Sequence, residues 1–168
     1  MFHYTKRIIR RYPVGMGAAC HHVTDWIPQL IAPANRLLDE AGLRGLANIE
    51  FKLDERDGQY KLIECNARFV ASNGLVSASG YSLARFVYNR IINKPTAPFG
   101  RYRIGMRQLD LFRDFLAFRE LNRRGEMSFM QWLLSIAHPQ FFAYFKWNDP
   151  LPALSRLFKP FTKLFRRK

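Results

Sequence analysis

Cysteine is scarce in this sequence, since Cys20 and Cys65 are the two cysteines among 168 residues. A zinc site built from paired cysteines and a small fold held by several disulfides are therefore excluded. This cysteine usage fits a reducing compartment, and we expect a cytoplasmic protein. Neither cysteine has an evident base nearby in sequence, and Cys65 falls on a predicted core face, so we interpret both as buried thiols.

The sequence also lacks a long apolar run. The N-terminal segment "MFHYTKRIIRR" has no continuous apolar region of signal-peptide length. The most apolar stretch, residues 129–145, is interrupted by Gln131, His138, Pro139 and Gln140 and is short for a membrane span. We therefore predict no transmembrane helix.

Acidic residues are few, because 13 Asp and Glu stand against 27 Lys and Arg and give a formal charge of +14. A field of this sign attracts phosphates, nucleic acid or anionic lipid without choosing among them. No helix-turn-helix, zinc or RNA-binding fingerprint accompanies the charge, so we consider nucleic acid an unlikely partner. The excess is larger in residues 101–168 than in residues 1–100.

Residue patterning predicts strands followed by helices. The predicted elements are strands at 2–13 and 15–25, a helix from a cap at Asp25 to Gly42 or Gly45, a hairpin at 48–68, and helices at 82–92, 107–125 and 128–139. Residues 94–103 resemble a linker, with two prolines and a glycine. We expect an α+β domain at 1–95, with an antiparallel sheet and flanking helices, and an all-helical basic extension at 96–168. Gly15 and Gly17 are interpreted as a turn through which the backbone could approach a substrate.

The predicted hairpin "NIEFKLDERDGQYKLIECNAR" sets two acids against each other. A three-residue loop at 56–58, with Gly58 in the left-handed region, makes Glu50 face Glu64 directly. The same register places Phe51 opposite Ile63 and Lys52 opposite Leu62. Alternation along the strands then defines two faces. The expected core face collects Ile49, Phe51, Leu53, Ile63 and Cys65, and the polar face collects Asn48, Glu50, Lys52, Asp54, Glu64 and Asn66, with Tyr60 and Leu62 as exceptions.

Opposed carboxylates repel unless something neutralises them. Oxygen ligands from Glu50, Glu64 and Asn66 suit a hard ion such as Mg²⁺, which completes its shell with water and substrate phosphates. Arg68 lies on the same side if the chain stays extended, and would contact a phosphate held by the metal. The alternative interpretation of the same residues is a solvated ion-pair face beside Lys52.

Several motifs resemble the ATP-grasp carboxylate-amine ligases, especially the carbamoyl-phosphate-synthase-like members. The similar segments are "RRYPVGMG", "GLRGLANIEFKLDERDGQYKLIECNAR", "SASGYSLARFVYNRIINKP" and the later "WNDPLPAL". The resemblance implies the C-terminal ATP-grasp lobe, with Glu50, Glu64 and Asn66 on Mg²⁺ or Mn²⁺. It also implies ATP contacts from Arg68, Asn66, Lys52 and Arg10, with Arg68 and Glu64 in the catalytic role.

The reaction implied by the resemblance transfers the ATP γ-phosphate to a carboxylate, and an amine then attacks the acylphosphate. The lobe that precedes this one in the family has no counterpart before Met1. We therefore expect a fragment of a longer ligase, a lobe completed by a partner, or a fold that persists without catalysis.

The C-terminal segment 151–168 supports a different class of function. Leu154, Phe158, Phe161 and Phe165 fall on one side of a helical projection, with five basic residues opposite. Pro160 breaks that helix. This segment is interpreted as a cover for the ligase core or the missing lobe. Alternatively, it attaches to an anionic membrane surface or a protein partner, and the chain is a catalytically inactive remnant or binding module.

Overall fold

The computed structural model of the protein describes residues 2–96 and 100–155. Its strands are β1 (Thr5–Tyr12), β2 (Ala18–Asp25), β3 (Asn48–Asp54), β4 (Gln59–Asn66), β5 (Arg107–Leu109) and β6 (Gln140–Phe142). Its helices are a 3-10 turn (Pro28–Leu30), α1 (Ile31–Glu40), α2 (Asn73–Ala78), α3 (Leu83–Ile91), α4 (Leu111–Arg123) and α5 (Phe129–Ile136). The predicted α+β class is confirmed. In the described residues, no helix has the length and apolar character needed to cross a bilayer.

The chain divides into two compact units whose boundaries differ from the predicted ones. Unit 1 comprises residues 1–6 and 25–104, and unit 2 comprises residues 7–24 and 105–168. The physical reason is strand pairing, since β5 returns to pair antiparallel with β2 and so joins the second half of the chain to an N-terminal strand. A division at residue 95 would separate these paired strands.

The sheet order is β1-β2-β5-β6, and the last pair of strands is parallel. The region after residue 95 is therefore not all-helical, because β5 and β6 both lie in it. Residues 107–109 were predicted as the start of a helix, but α4 begins at Leu111. Its N-cap is Asp110, whose side chain accepts a hydrogen bond from the Arg113 backbone N–H.

The core of unit 2 lies around Trp132. The Trp132 ring stacks on Phe118 at 4.9 Å between centroids and is 8% exposed. The other buried apolar residues of this unit are Cys20, Val23, Leu109, Ala117 and Phe118. The prediction of a buried Cys20 thiol is confirmed, and burial raises the pKa of this thiol to about 12.

Unit 1 contains the β3–β4 hairpin and three helices. Its buried apolar side chains are Leu75 and Val76 of α2, a helix that the sequence patterning did not predict. The Thr5 hydroxyl donates to the backbone carbonyl of Asp25 at 2.5 Å, and the Tyr102 hydroxyl donates to the same carbonyl at 2.7 Å. The first bond connects the two segments of the unit, and the second connects the beginning and the end of its longer segment.

Candidate functional site

The two acids of the hairpin lie at opposed positions, as predicted. Glu50 of β3 pairs with Glu64 of β4, and Asn48 pairs with Asn66. The turn differs from the prediction because the strands end at Asp54 and resume at Gln59, which leaves a four-residue loop at 55–58. Gly58 has a φ of +68°, in the left-handed region that was predicted for it.

The register shifts between Glu50 and Phe51, so the pairs between this point and the loop differ from the predicted ones. Phe51 lies opposite Leu62 rather than Ile63, and Lys52 lies opposite Lys61 rather than Leu62. Ile63 is the extra residue of this irregularity. The longer loop displaces the register by one residue, and the extra residue restores it, so the acid pair keeps its predicted alignment.

This irregularity separates polar from apolar residues more completely than the predicted register did. Directly opposed residues share a face of the sheet, so Tyr60 and Leu62 join the apolar face across from Leu53 and Phe51. The polar face consists of Asn48, Glu50, Lys52, Asp54, Gln59, Lys61, Glu64 and Asn66. The two exceptions in the predicted pattern therefore disappear.

The apolar face of the hairpin is not the buried core face that was expected. Leu53, Leu62 and Ile63 are 45%, 48% and 56% exposed, and the Cys65 thiol is exposed as well. A two-stranded sheet has no second layer of its own, and Ile49 and Phe51 are only half-buried in the structure. The interpretation of Cys65 as a buried thiol is therefore wrong.

The polar face brings together the three predicted metal ligands. The side-chain amide of Asn66 donates a hydrogen bond to the Glu64 carboxylate at 2.9 Å, which confirms that these two side chains point the same way. Glu64 is exposed, and Glu50 and Asn66 are half-buried. Their carboxylate and amide oxygens are a suitable donor set for Mg²⁺, which needs few protein ligands.

The metal site would depend on ligands beyond these carboxylates. In residues 2–96 and 100–155, no group of three or more His, Cys, Asp and Glu side chains is placed to hold a metal ion. Glu50, Glu64 and Asn66 fit an ion that water and substrate phosphates help to coordinate. They do not fit a closed structural site of the zinc type.

Lys6 and Ser72 are site residues that the sequence reasoning missed. The Lys6 ammonium group donates a hydrogen bond to the Ser72 hydroxyl, whose residue is 5% exposed. Burial lowers the pKa of Lys6 to about 8, and the negative charge of Glu50 acts in the opposite direction. The charge of Lys6 therefore interacts with that of Glu50. Lys6 lies far from the hairpin in sequence, and no spacing pattern connects them.

Four charged residues near the tip of the hairpin form two local ion pairs. The Arg56 guanidinium bonds the Asp54 carboxylate at 2.8 Å and lowers the pKa of Asp54 to about 2. Lys61 donates to the Asp57 carboxylate at 2.6 Å. These charges at the tip are neutralised locally, and the acid pair lies at the other end of the strands.

Arg68 and Lys52 are both exposed, but their settings differ. Lys52 lies on the polar face of β3, as predicted. Arg68 follows the end of β4, and its backbone N–H bonds the Asn66 carbonyl at 2.9 Å, so the chain turns here instead of staying extended. The guanidinium donates to the Phe69 carbonyl at 3.3 Å. The assumption that extended backbone would align Arg68 with Asn66 is not met.

Arg10, which the resemblance placed at ATP, is 6% exposed and lies in unit 2. Its Nε donates to Asp114 Oδ1 at 2.7 Å and its Nη2 donates to Asp114 Oδ2 at 2.9 Å. The same Nη2 lies 2.8 Å from Nδ1 of His21, a fully buried residue. The guanidinium is therefore committed to an internal ion pair.

The glycine turn after β1 serves the chain itself. A Cβ at Gly17 would lie 2.0 Å from the carbonyl carbon of Tyr12, and the Gly17 N–H bonds the Pro13 carbonyl at 2.8 Å. The absence of a side chain lets this backbone pass close to Tyr12. We expected the backbone at this turn to lie close to a substrate. In the structure, the backbone of Gly17 lies close to the backbone of Tyr12.

Comparison with known proteins supports the expected relationship for part of the chain. Residues 23–92 match the family described as carbamoyl-phosphate synthase L chain, ATP binding domain. These residues include β3, β4 and all three predicted metal ligands. Lys6 and Arg10 lie outside the matched range.

Two curated relatives match this chain over a small part of their own length. D-aspartate ligase of Enterococcus faecium is 36% identical over 84 residues, which are 49% of this chain and 20% of that ligase. The N-terminal section of the carbamoyl phosphate synthase large chain of Methanopyrus kandleri is 40% identical over 57 residues, which are 33% of this chain and 10% of that protein. No solved structure gives a significant match. Over residues 23–92, the chain is similar to the ATP-binding domain of the carbamoyl-phosphate synthases, which confirms the resemblance that its motifs predicted.

Proposed function

We propose that this chain supplies the C-terminal part of an ATP-grasp carboxylate-amine ligase. The observation that carries the proposal is the direct pairing of Glu50 with Glu64 on a polar sheet face that also holds Asn66. The names of the two curated relatives, a D-aspartate ligase and a carbamoyl phosphate synthase, support it. The chain spans a small part of those relatives, so the reaction is proposed for a complete site that includes a second lobe.

In this proposal, the acid pair and Asn66 hold Mg²⁺ or Mn²⁺ together with the phosphates of ATP. Bound to these residues, the ion would supply positive charge against the phosphates. Lys6 supplies a cation near Glu50, and Lys52 lies exposed on the same face as the acids. Arg68 contacts the phosphates if its guanidinium leaves the Phe69 carbonyl, which it bonds at 3.3 Å.

The proposed reaction is phosphoryl transfer from ATP to a carboxylate, followed by attack of an amine on the acylphosphate. The phosphate of that intermediate leaves when the new carbon–nitrogen bond forms. The residues of this chain contribute positioning and charge neutralisation, with Glu64 and Arg68 in the catalytic role. We propose no identity for the carboxylate or the amine.

Binding of ATP to the purified chain tests the proposal. A fluorescent ATP analogue is titrated with Mg²⁺ and, separately, with EDTA. We expect Mg²⁺-dependent binding, weakened at least about tenfold by Glu64→Gln, since contacts of charged groups contribute about 1.5–3 kcal/mol. Lys6→Gln should weaken it as well.

The matched control is Glu55→Gln, which removes an exposed acid from the loop of the same hairpin. It should bind the analogue as the unmodified chain does. Equal affinity of the Glu64→Gln and Glu55→Gln variants, with unchanged circular dichroism, would show that the acid pair is a solvated face. The chain would then be an inactive binding module, the alternative that the sequence left open.

A further inference from the structure

The helical hairpin of unit 2 has a broad apolar surface that nothing in the proposed ligase chemistry uses. We call it the α4–α5 apolar face and define it by Phe115, Phe129, Met130, Leu133 and Leu134. These side chains are 41%, 56%, 60%, 41% and 61% exposed. Exposed single apolar residues are ordinary, but a contiguous group of this size marks a binding surface.

Ring contacts and helical spacing show that the face is continuous. Phe115 and Phe129 contact the ring of Trp132 with centroids 5.7 and 5.8 Å away. Residues 129, 130, 133 and 134 follow each other at the spacing of one helical side. Trp132 points into the core, so α5 is anchored on one side and presents its other apolar side outward.

Two exposed cations lie next to this face on α4, and one exposed acid, Glu126, follows that helix. Arg119 and Arg123 are exposed and follow Phe115 on α4 at successive four-residue steps, so they lie on the same side of the helix. Neither forms an ion pair with a described residue. Helix α5 itself carries no charged residue. The face is therefore an apolar surface with a cationic edge.

The sign of these charges selects the occupant. Residues 156–168, which lie outside the described part of the chain, carry six basic residues and no acidic one. Electrostatic repulsion from Arg119 and Arg123 disfavours this segment as a cover for the face. A second copy of the chain would meet the same like-charge repulsion, since its own face carries the same arginines.

We propose that the α4–α5 apolar face binds the surface of an anionic lipid bilayer. Bulky Phe, Met and Leu side chains would enter the interfacial region, and the arginines at the edge would meet lipid phosphates. Binding of a protein to a membrane surface combines burial of apolar side chains with electrostatic attraction to anionic lipids. The basic residues at 156–168 would add attraction of the same sign.

Vesicle co-sedimentation with the full-length chain tests this proposal. The probes are vesicles of phosphatidylcholine alone and of phosphatidylcholine with 30% phosphatidylserine, a composition set roughly by the anionic content of cytoplasmic leaflets. We expect binding to the anionic vesicles that declines as salt rises. The double variant Met130→Gln/Leu134→Gln should bind at least about tenfold more weakly, and Arg119→Gln/Arg123→Gln should bind more weakly and with less dependence on salt.

The matched control is Ile91→Gln, which removes a 74% exposed apolar side chain from α3 of unit 1. It should bind vesicles as the unmodified chain does. A full-length Arg166→Gln/Arg167→Gln/Lys168→Gln variant separates the two regions, because the proposal requires it to retain part of its vesicle binding and to lose it when the α5 substitutions are added.

Three results would overturn the proposal. The α5 double variant could bind vesicles unchanged, which would assign the whole attraction to the C-terminal segment. Neutral and anionic vesicles could bind equally. The chain could instead ignore vesicles and form oligomers that Met130→Gln/Leu134→Gln dissociates, which would make the face a protein interface. Near-ultraviolet circular dichroism from the packed Trp132 ring verifies that each variant is folded.

Discussion

Replacing Asp114 by Asn should strongly destabilise unit 2. Both carboxylate oxygens of Asp114 accept hydrogen bonds, Oδ1 from Arg10 and Oδ2 from Arg10 and the Trp132 indole N–H, at 2.7–2.9 Å. The residue is fully buried. An Asn side chain must turn its NH₂ group toward one of these donors, so either orientation places donor against donor and leaves the buried guanidinium without a counter-charge.

The expected loss follows from this geometry. Removing one member of a buried ion pair costs about 3–5 kcal/mol, which is a large part of the roughly 5–15 kcal/mol that stabilises a typical domain. For a chain of this length the corresponding fall in Tm is roughly 6–20 °C. Equilibrium urea unfolding, followed by near-ultraviolet circular dichroism, measures the change in the packed aromatic core.

Two further variants identify the cause of the loss. Glu126→Gln removes an exposed acid from the same unit, and should change the free energy of unfolding by less than about 0.5 kcal/mol. Arg10→Met/Asp114→Leu removes both charges together and should be less destabilising than Asp114→Asn, because no buried charge is left unpaired, while the Trp132 N–H loses its acceptor. An Asp114→Asn variant as stable as Glu126→Gln would refute the reasoning.

Gly17→Ala should destabilise the chain more than Gly58→Ala, because a Cβ at Gly17 meets the Tyr12 backbone whereas the space around Gly58 is open. At Gly58 the cost is that of a left-handed φ, about 1–2 kcal/mol, and urea midpoints that rank the two variants the other way would contradict this account. Burial lowers the pKa of His21 from 6.5 to about 4. The unfolded chain therefore binds more protons between these values, so the stability that a neutral His21 contributes is present above pH 6.5 and lost as the pH falls toward 4. His21→Gln should flatten the decline of the urea midpoint from pH 7.5 to pH 4.5, and an unchanged slope would argue against a neutral buried imidazole.

The hairpin shows how much local pattern can predict. Alternation of polar and apolar residues, with an Asp-Gly turn between them, predicted the alignment of Glu50 with Glu64. It could not predict the four-residue loop or the compensating extra residue, because two shifts of opposite direction leave the acid pair unchanged. The misplaced Tyr60 and Leu62 were the signal of that irregularity, since a single extra residue in β4 moves both to the apolar face.

Long-range contacts were beyond the reach of such patterns. In the sequence, Arg10 is one of several basic residues of a strand and has no evident partner. The fold shows that it forms an ion pair with Asp114 of α4. The same limit applies to the short strand β5, which had been predicted as part of helix α4. Three residues are too few to show a periodicity, and pairing with β2 decides their conformation.

The acid pair itself gives a physical reason to expect a ligand. Opposed like charges destabilise an antiparallel ladder, and the hairpin offers Glu64 only the amide of Asn66 at hydrogen-bond distance. Lys6 compensates Glu50 at a cost, because burial depresses its pKa to about 8 and weakens its charge as the pH rises through that value. A divalent ion would neutralise both carboxylates without this desolvation of a lysine. This comparison supports the proposal that the acid pair binds a metal ion together with phosphates.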